Sequence, residues 1–137
     1  MAKTSKNTLN VQPQSDEAEQ AVLGSMLVSK EAVSKTIQWL NPENFYKESH
    51  MKIFSAMLSL FDSGDPVDTV SVIDALKKKK QLEAVGGSYY ITGLVDSVPT
   101  TAHIERYSKI VLEKALLRRL ITISHEIAKD AYDDSQD

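Results

Sequence analysis

The chain has 137 residues, a length that suits one globular domain built on a single core. Hydrophobic residues make up 42% and charged residues 26%, a balance that excludes wholesale disorder and fibrous classes. A formal net charge of −3 argues against a dedicated nucleic-acid-binding module, and the absence of cysteine excludes disulfides and thiolate metal sites and fits the reducing cytoplasm.

Residues 1–14 ("MAKTSKNTLNVQPQ") lack the apolar core of a secretory signal and read as a flexible tail. No later run approaches the roughly 18 apolar residues of a membrane span. From residue 15 onward the pattern is helical. Ser15 or Asp16 offers an N-cap to "EAEQAVLGSMLV", with Asp16, Glu17 and Glu19 at the positive end of the helix dipole and Ala18, Val22, Leu23, Met26 and Leu27 on one apolar face. Ser29 caps a shorter helix through Ile37, which Pro42 brings to a stop. Between about Lys47 and Asp62, Met51, Phe54, Met57, Leu58 and Phe61 recur at helical spacing, and Gly64 stands where a left-handed C-terminal residue belongs. Asp68 then caps "TVSVIDALKKKK". Its valines leave a short strand open as the lesser alternative, but the spacing of Val70, Ile73 and Leu76 favours a helix. A short helix with Tyr89, Tyr90, Ile91, Leu94 and Val95 runs up to Pro99.

The segment from about Ala102 to Tyr132 contains no glycine or proline and extends roughly 45 Å as a helix. A globule of this size has a radius of gyration of about 14 Å, so part of that helix should project. Its apolar face also migrates. Ile104, Tyr107, Ile110 and Val111 share one side, opposite Glu105, Arg106, Lys109 and Glu113; beyond Lys114, Leu116, Leu120, Ile123, Ile127 and Ala131 gather on the side that was charged before. The first half can cover the preceding helices, while the second half needs another helix or another chain to shield it. The expected organisation is a tail (1–14), a helical head (15–99), a long helix (100–132) and a polar turn (133–137).

Most residues that suggest chemistry have a plainer explanation. Five acids (Asp62, Asp65, Asp68, Asp74, Glu83) surround the four lysines Lys77 to Lys80, which read as a solvated helix end. Gly86 and Gly87 lack the Lys-Ser/Thr sequel of a phosphate-binding loop and read as a turn. His50, His103 and His125 fit no metal-ligand spacing and read as surface or capping residues. Tyr89 and Tyr90 are either core packing or partner anchors, and Arg118 and Arg119 either a solvated face or partner anchors. No catalytic arrangement stands out, so the residues alone describe a helical interaction domain.

Taken in order, the phrases "EAEQAVLGSML", "FY" followed by His50 and "IF", "PVD", "LEAVGG" and "VPTTAHIERYSKIV" resemble the N-terminal domain of the DnaB-type bacterial replicative DNA helicases over about residues 12–132. The resemblance implies an all-α fold: a compact multi-helix head followed by a long helix that is the first arm of a helical hairpin. In that family neighbouring hairpins pack together, the domains pair into a collar on a hexameric ring, and the collar receives primase. A helicase loader is a further partner. ATP and magnesium belong to a RecA-like motor domain whose motifs do not occur here, so the resemblance implies a fragment without cofactors of its own and without direct nucleic-acid binding. It carries the primase contact to Asp68, Tyr90, Ile121 and Ile127, and hairpin or subunit packing to Leu116, Leu117, Leu120 and Ile123. A free-standing helical adaptor, or the helicase-binding domain of a primase, is the alternative reading.

Overall fold

A serine opens each of the first two helices in the computed structural model, which describes residues 11–98 and 100–133. Ser15 is extended and its hydroxyl accepts the Ala18 N–H at 3.1 Å, starting α1 (Asp16–Val28). Ser29 does two jobs. Its own N–H donates to the Ser25 carbonyl and closes α1, while its hydroxyl accepts the Ala32 N–H and starts α2 (Lys30–Trp39). A 3-10 turn, Pro42–Asn44, follows and leads into α3 (Glu48–Asp62). Asp68 caps α4 (Thr69–Lys78) by accepting the Ser71 N–H at 2.8 Å, so the helix, and not the strand alternative, forms over the valines. Then come α5 (Gly87–Asp96), a second 3-10 turn (Thr101–His103) and the long α6 (Ile104–Tyr132). The described residues contain no strand, and the all-α expectation with a long final helix is borne out.

Two helices end in the same way. After α3, Gly64 turns left-handed (φ 77°), its N–H bonds to the Phe61 carbonyl, and Asp65 N–H reaches back to Leu60. After α4 that place is taken by Lys80 (φ 58°), with Lys80 N–H to Lys77 and Gln81 N–H to Leu76. Only Lys77 and Lys78 of the lysine run are therefore helical; Lys79 is the cap and Lys80 the turn.

The core is arranged around α1, which packs on α2, α3, α5 and α6. Its expected apolar face (Ala18, Val22, Leu23, Met26, Leu27) is buried, and so are Glu19, Ala21, Gly24 and Ser25 from its other sides. A helix enclosed in this way tolerates no extra volume where a neighbour approaches closely. At Gly24, an added Cβ would overlap the Leu94 carbonyl oxygen and the Val98 side chain, so the bare backbone lets α1 and α5 touch. Phe45 and Phe54, both fully buried with ring centroids 5.0 Å apart, fill the space beneath α3.

The two halves of α6 behave as their faces predict. Ile104, Ser108 and Val111 are buried, with Tyr107, Ile110 and Leu112 packed partly against the core. From Leu116 to Asp133, by contrast, every residue except Arg118 and Ile121 is exposed. Leu116, Leu120 and Ile127 stand 57%, 60% and 64% exposed, an apolar stripe that no other described helix covers. Of the expected tail, residues 1–10 lie outside the described residues, as do 134–137 of the expected terminal turn.

Candidate functional site

Helical spacing places Glu19 on α1 toward α3, and His50 one turn before Ile53 and Phe54 on the buried side of α3. The two side chains meet in the core. His50 Nδ1 lies 2.7 Å from Glu19 Oε1, with both side chains almost wholly shielded from solvent. Glu19 Oε2 accepts the Tyr46 N–H at 2.7 Å, and Oε1 also receives the Lys47 N–H at a longer 3.5 Å. On the far side of the imidazole, Nε2 is 2.6 Å from the hydroxyl of Tyr90 in α5, and the His50 and Tyr90 rings lie near parallel with centroids 6.0 Å apart. A carboxylate oxygen can only accept, so Glu19 fixes a proton on Nδ1 and leaves Nε2 to the phenol. The chain Glu19–His50–Tyr90 thus ties three helices through polar atoms that would be costly to leave unpaired.

Two outer contacts extend it. Lys47 Nζ sits 3.1 Å from Asp16 Oδ1, and the Gln20 amide donates to Asp16 Oδ2 at 2.8 Å. Burial works to raise the Asp16 carboxyl, but the hydrogen bonds from Lys47 and Gln20 outweigh it and hold the group below its usual range. On the opposite flank, Arg118 of α6 donates to the Pro13 carbonyl (2.8 Å) and the Asn44 carbonyl (2.9 Å) and lies over the Tyr46 ring at 5.3 Å. A shallow groove of about 350 Å³ opens there between head and arm, lined by Gln12, Phe45, Tyr46, Met51, Arg118 and Thr122.

The order tyrosine, histidine, carboxylate is that of a nucleophile with its base and orienter. The phenol is poorly suited to that role. Burial first, then the negative charges of Asp16 and Glu19, push it from 10.0 up to about 12, so it keeps its proton at neutral pH. The arrangement is a structural lock. Because the folded-state value lies above the unfolded one, the stability linked to this proton is complete below pH 10 and is lost as the pH rises through about 12. Absorbance titration should show one of the five tyrosines ionising near pH 12, a step that Tyr90→Phe removes. Over the same range the thermal stability lead of the wild type over Tyr90→Phe should shrink. A titration without this late tyrosine would contradict the buried hydroxyl.

These contacts correct two expectations. His50 is neither a surface nor a capping residue: its side chain is fully buried, because Glu19 and Tyr90 satisfy both ring nitrogens. Arg118 does not belong to a solvated face, since two backbone carbonyls and an aromatic ring hold it, whereas Arg119 is exposed. The tyrosine pair divides: Tyr89 is 92% exposed, while Tyr90 is half-buried with its hydroxyl engaged. Among the other candidate residues, Asp68 is exposed and serves as the cap of α4. Ile121 is half-buried one turn beyond Arg118, and Leu116, Leu117, Leu120, Ile123 and Ile127 are exposed on the outer half of α6. The exposed stripe is one continuous surface; Asp68 and Tyr90 stand on the head, on different helices. Among the described residues, no group of three His, Asp or Glu side chains could hold a metal ion.

An all-helical head organised on one enclosed helix, with a long arm leaving it, defines an all-α domain with a projecting final helix. Residues 11–113 match the DnaB-like helicase N terminal domain family, and the chain belongs to that family. It is 48% identical over 122 residues to the replicative DNA helicase DnaB of Geobacillus stearothermophilus, an alignment covering 89% of this chain and 27% of that protein. It is 50% identical over 120 residues to the replicative DNA helicase DnaC of Bacillus subtilis (strain 168), covering 88% and 26%. The chain thus spans about a quarter of the length of these relatives. Among solved structures it is similar to the N-terminal domain of DnaB helicase from Mycobacterium tuberculosis, with a TM-score of 0.88 and 38% identity over 91% of each chain. A DnaB-like replicative helicase described with its interactions with primase matches at a TM-score of 0.74 and 33% identity, over 84% of this chain and 27% of that one.

Proposed function

We propose that the chain is the assembly and primase-docking domain of a hexameric replicative DNA helicase, acting in the cytoplasm to organise subunits and to couple unwinding to priming. The observation that carries this reading is the bare stripe Leu116, Leu117, Leu120, Ile123 and Ile127, because apolar side chains in such a row are stable only when another surface covers them. Family membership supports a helicase domain over the primase-domain alternative. In this reading α6 is the first arm of a helical hairpin and the stripe packs on hairpins of neighbouring copies, with Asp68, Tyr90, Ile121 and Ile127 meeting primase, and a loader as a further partner. ATP and magnesium act in a motor domain of the whole protein, and the domain itself holds neither nucleotide nor metal. Direct nucleic-acid binding has no part in the proposal, in keeping with the net charge of −3.

Leu117→Asp tests the assembly half. Sedimentation of the wild type should show self-association that the variant weakens by at least about tenfold, roughly 1.4 kcal/mol, with helicity by circular dichroism unchanged. A variant that loses helicity wholesale while keeping the wild-type mass, or a wild type that stays monomeric throughout, contradicts it. Titrating the helicase-binding domain of primase against wild type and Ile127→Asp tests the docking half.

A further inference from the structure

The segment Asn44–Lys47 is held from two sides by groups that belong to different parts of the molecule. From the head, Glu19 takes the Tyr46 and Lys47 N–H groups. From the arm, Arg118 takes the Asn44 carbonyl and covers the Tyr46 ring. Behind Glu19 stand His50 and then Tyr90, whose half-buried ring brings the far end of the chain to the head surface. We propose that the Glu19–His50–Tyr90 chain and Arg118 act as one clamp on this segment that sets the angle of α6 on the head, with the Tyr90 hydroxyl as its far end.

The physical argument concerns what Arg118 grips. Besides the Pro13 carbonyl, its partners are the Asn44 carbonyl at the end of the 3-10 turn and the Tyr46 ring just before α3, so its grip on this segment is only as rigid as the segment itself. Glu19 supplies the rigidity, because two successive N–H groups bound to one carboxylate fix the backbone orientation there. The carboxylate is itself aimed by His50 Nδ1, and the imidazole by the Tyr90 hydroxyl. Removing that hydroxyl frees the ring, then the carboxylate, then the segment under Arg118. The arm amplifies the result: Lys129 lies 11 residues beyond Arg118, about 16 Å along the helix, so a tilt of about 10° at the clamp moves it by about 3 Å. The device is independent of which partner, if any, docks at Tyr90.

The cysteine-free chain allows the test directly. Spin labels at Lys78→Cys on the head and Lys129→Cys on the arm, diluted with unlabelled chain, report the head-to-arm distance. Tyr90→Phe and Arg118→Lys should each shift or broaden the distribution by about 3 Å, and the double variant should go no further than the stronger single. Tyr89→Phe, at an exposed ring outside the clamp, should leave it unchanged. A second pair within the head, Glu31→Cys with Lys78→Cys, should keep its distance in every variant. The proposal is overturned if Tyr90→Phe leaves the arm distance at its wild-type value, if the two single effects add, or if the head pair moves along with the arm pair.

Discussion

Glu19→Ala should lower the unfolding free energy by about 3 kcal/mol, since truncating a buried carboxylate leaves more than one hydrogen-bond donor unpaired at about 1–3 kcal/mol each. The truncation strands the buried His50 Nδ1 together with the part-buried Tyr46 N–H, and the space left by the carboxylate adds a cavity. A typical domain has only about 5–15 kcal/mol in total, so the denaturation midpoint followed by circular dichroism should fall far enough to leave the chain marginal. Glu19→Gln should cost less, since an amide oxygen still accepts one of the donors while its NH₂ opposes the other. A loss below about 1 kcal/mol for the alanine variant would mean that water replaces the carboxylate and that the lock is weaker than its geometry implies.

The second large effect lies at Gly24, where the usual helix rule reverses. Replacing an interior helical glycine by alanine ordinarily gains about 0.5–1 kcal/mol, because alanine has fewer unfolded conformations to lose. At Gly24 the new Cβ would occupy the space of the Leu94 carbonyl oxygen, which is backbone and cannot swing aside, and of the Val98 side chain. Helix α5 must back away from α1, and overpacking of this kind costs about 1–3 kcal/mol. Gly93→Ala is the matched control: it sits within α5 and its Cβ meets nothing within 4 Å, so it should stabilise by the ordinary amount. Urea unfolding of the two variants should move the midpoint in opposite directions. If both rise, the close approach of α1 and α5 is not tight.

Much of the fold could be read from local rules, because a helix declares its cap and its face within a few residues. Ser15, Ser29, Gly64 and Asp68 stand where capping chemistry puts them, and the shift of the apolar face along α6 foretold both its buried start and its bare end. What local rules missed was polar and non-local. Glu19 lies on the same side of its helix as Val22 and Leu23, and His50 as Ile53 and Phe54; each was a polar residue on an apolar face and so a legible signal. Their mutual identification was not legible, since a periodicity argument gives each helix a face but not the partner across it. Arg118 was hidden for the same reason: its acceptors are backbone carbonyls of Pro13 and Asn44, which no side-chain pattern announces.

The polar lock also bears on when the protein becomes native. Its contacts join positions 31 and 40 residues apart in the chain, and the imidazole is satisfied only when α1, α3 and α5 are all in place. Apolar collapse can bring those helices together before any of these atoms is aligned, and closing loops of that length is entropically costly. The lock should therefore close late, after the barrier to folding. Its loss in Glu19→Ala would then appear mainly as faster unfolding with little change in the folding rate, so what the buried histidine chiefly sets is the lifetime of the folded head.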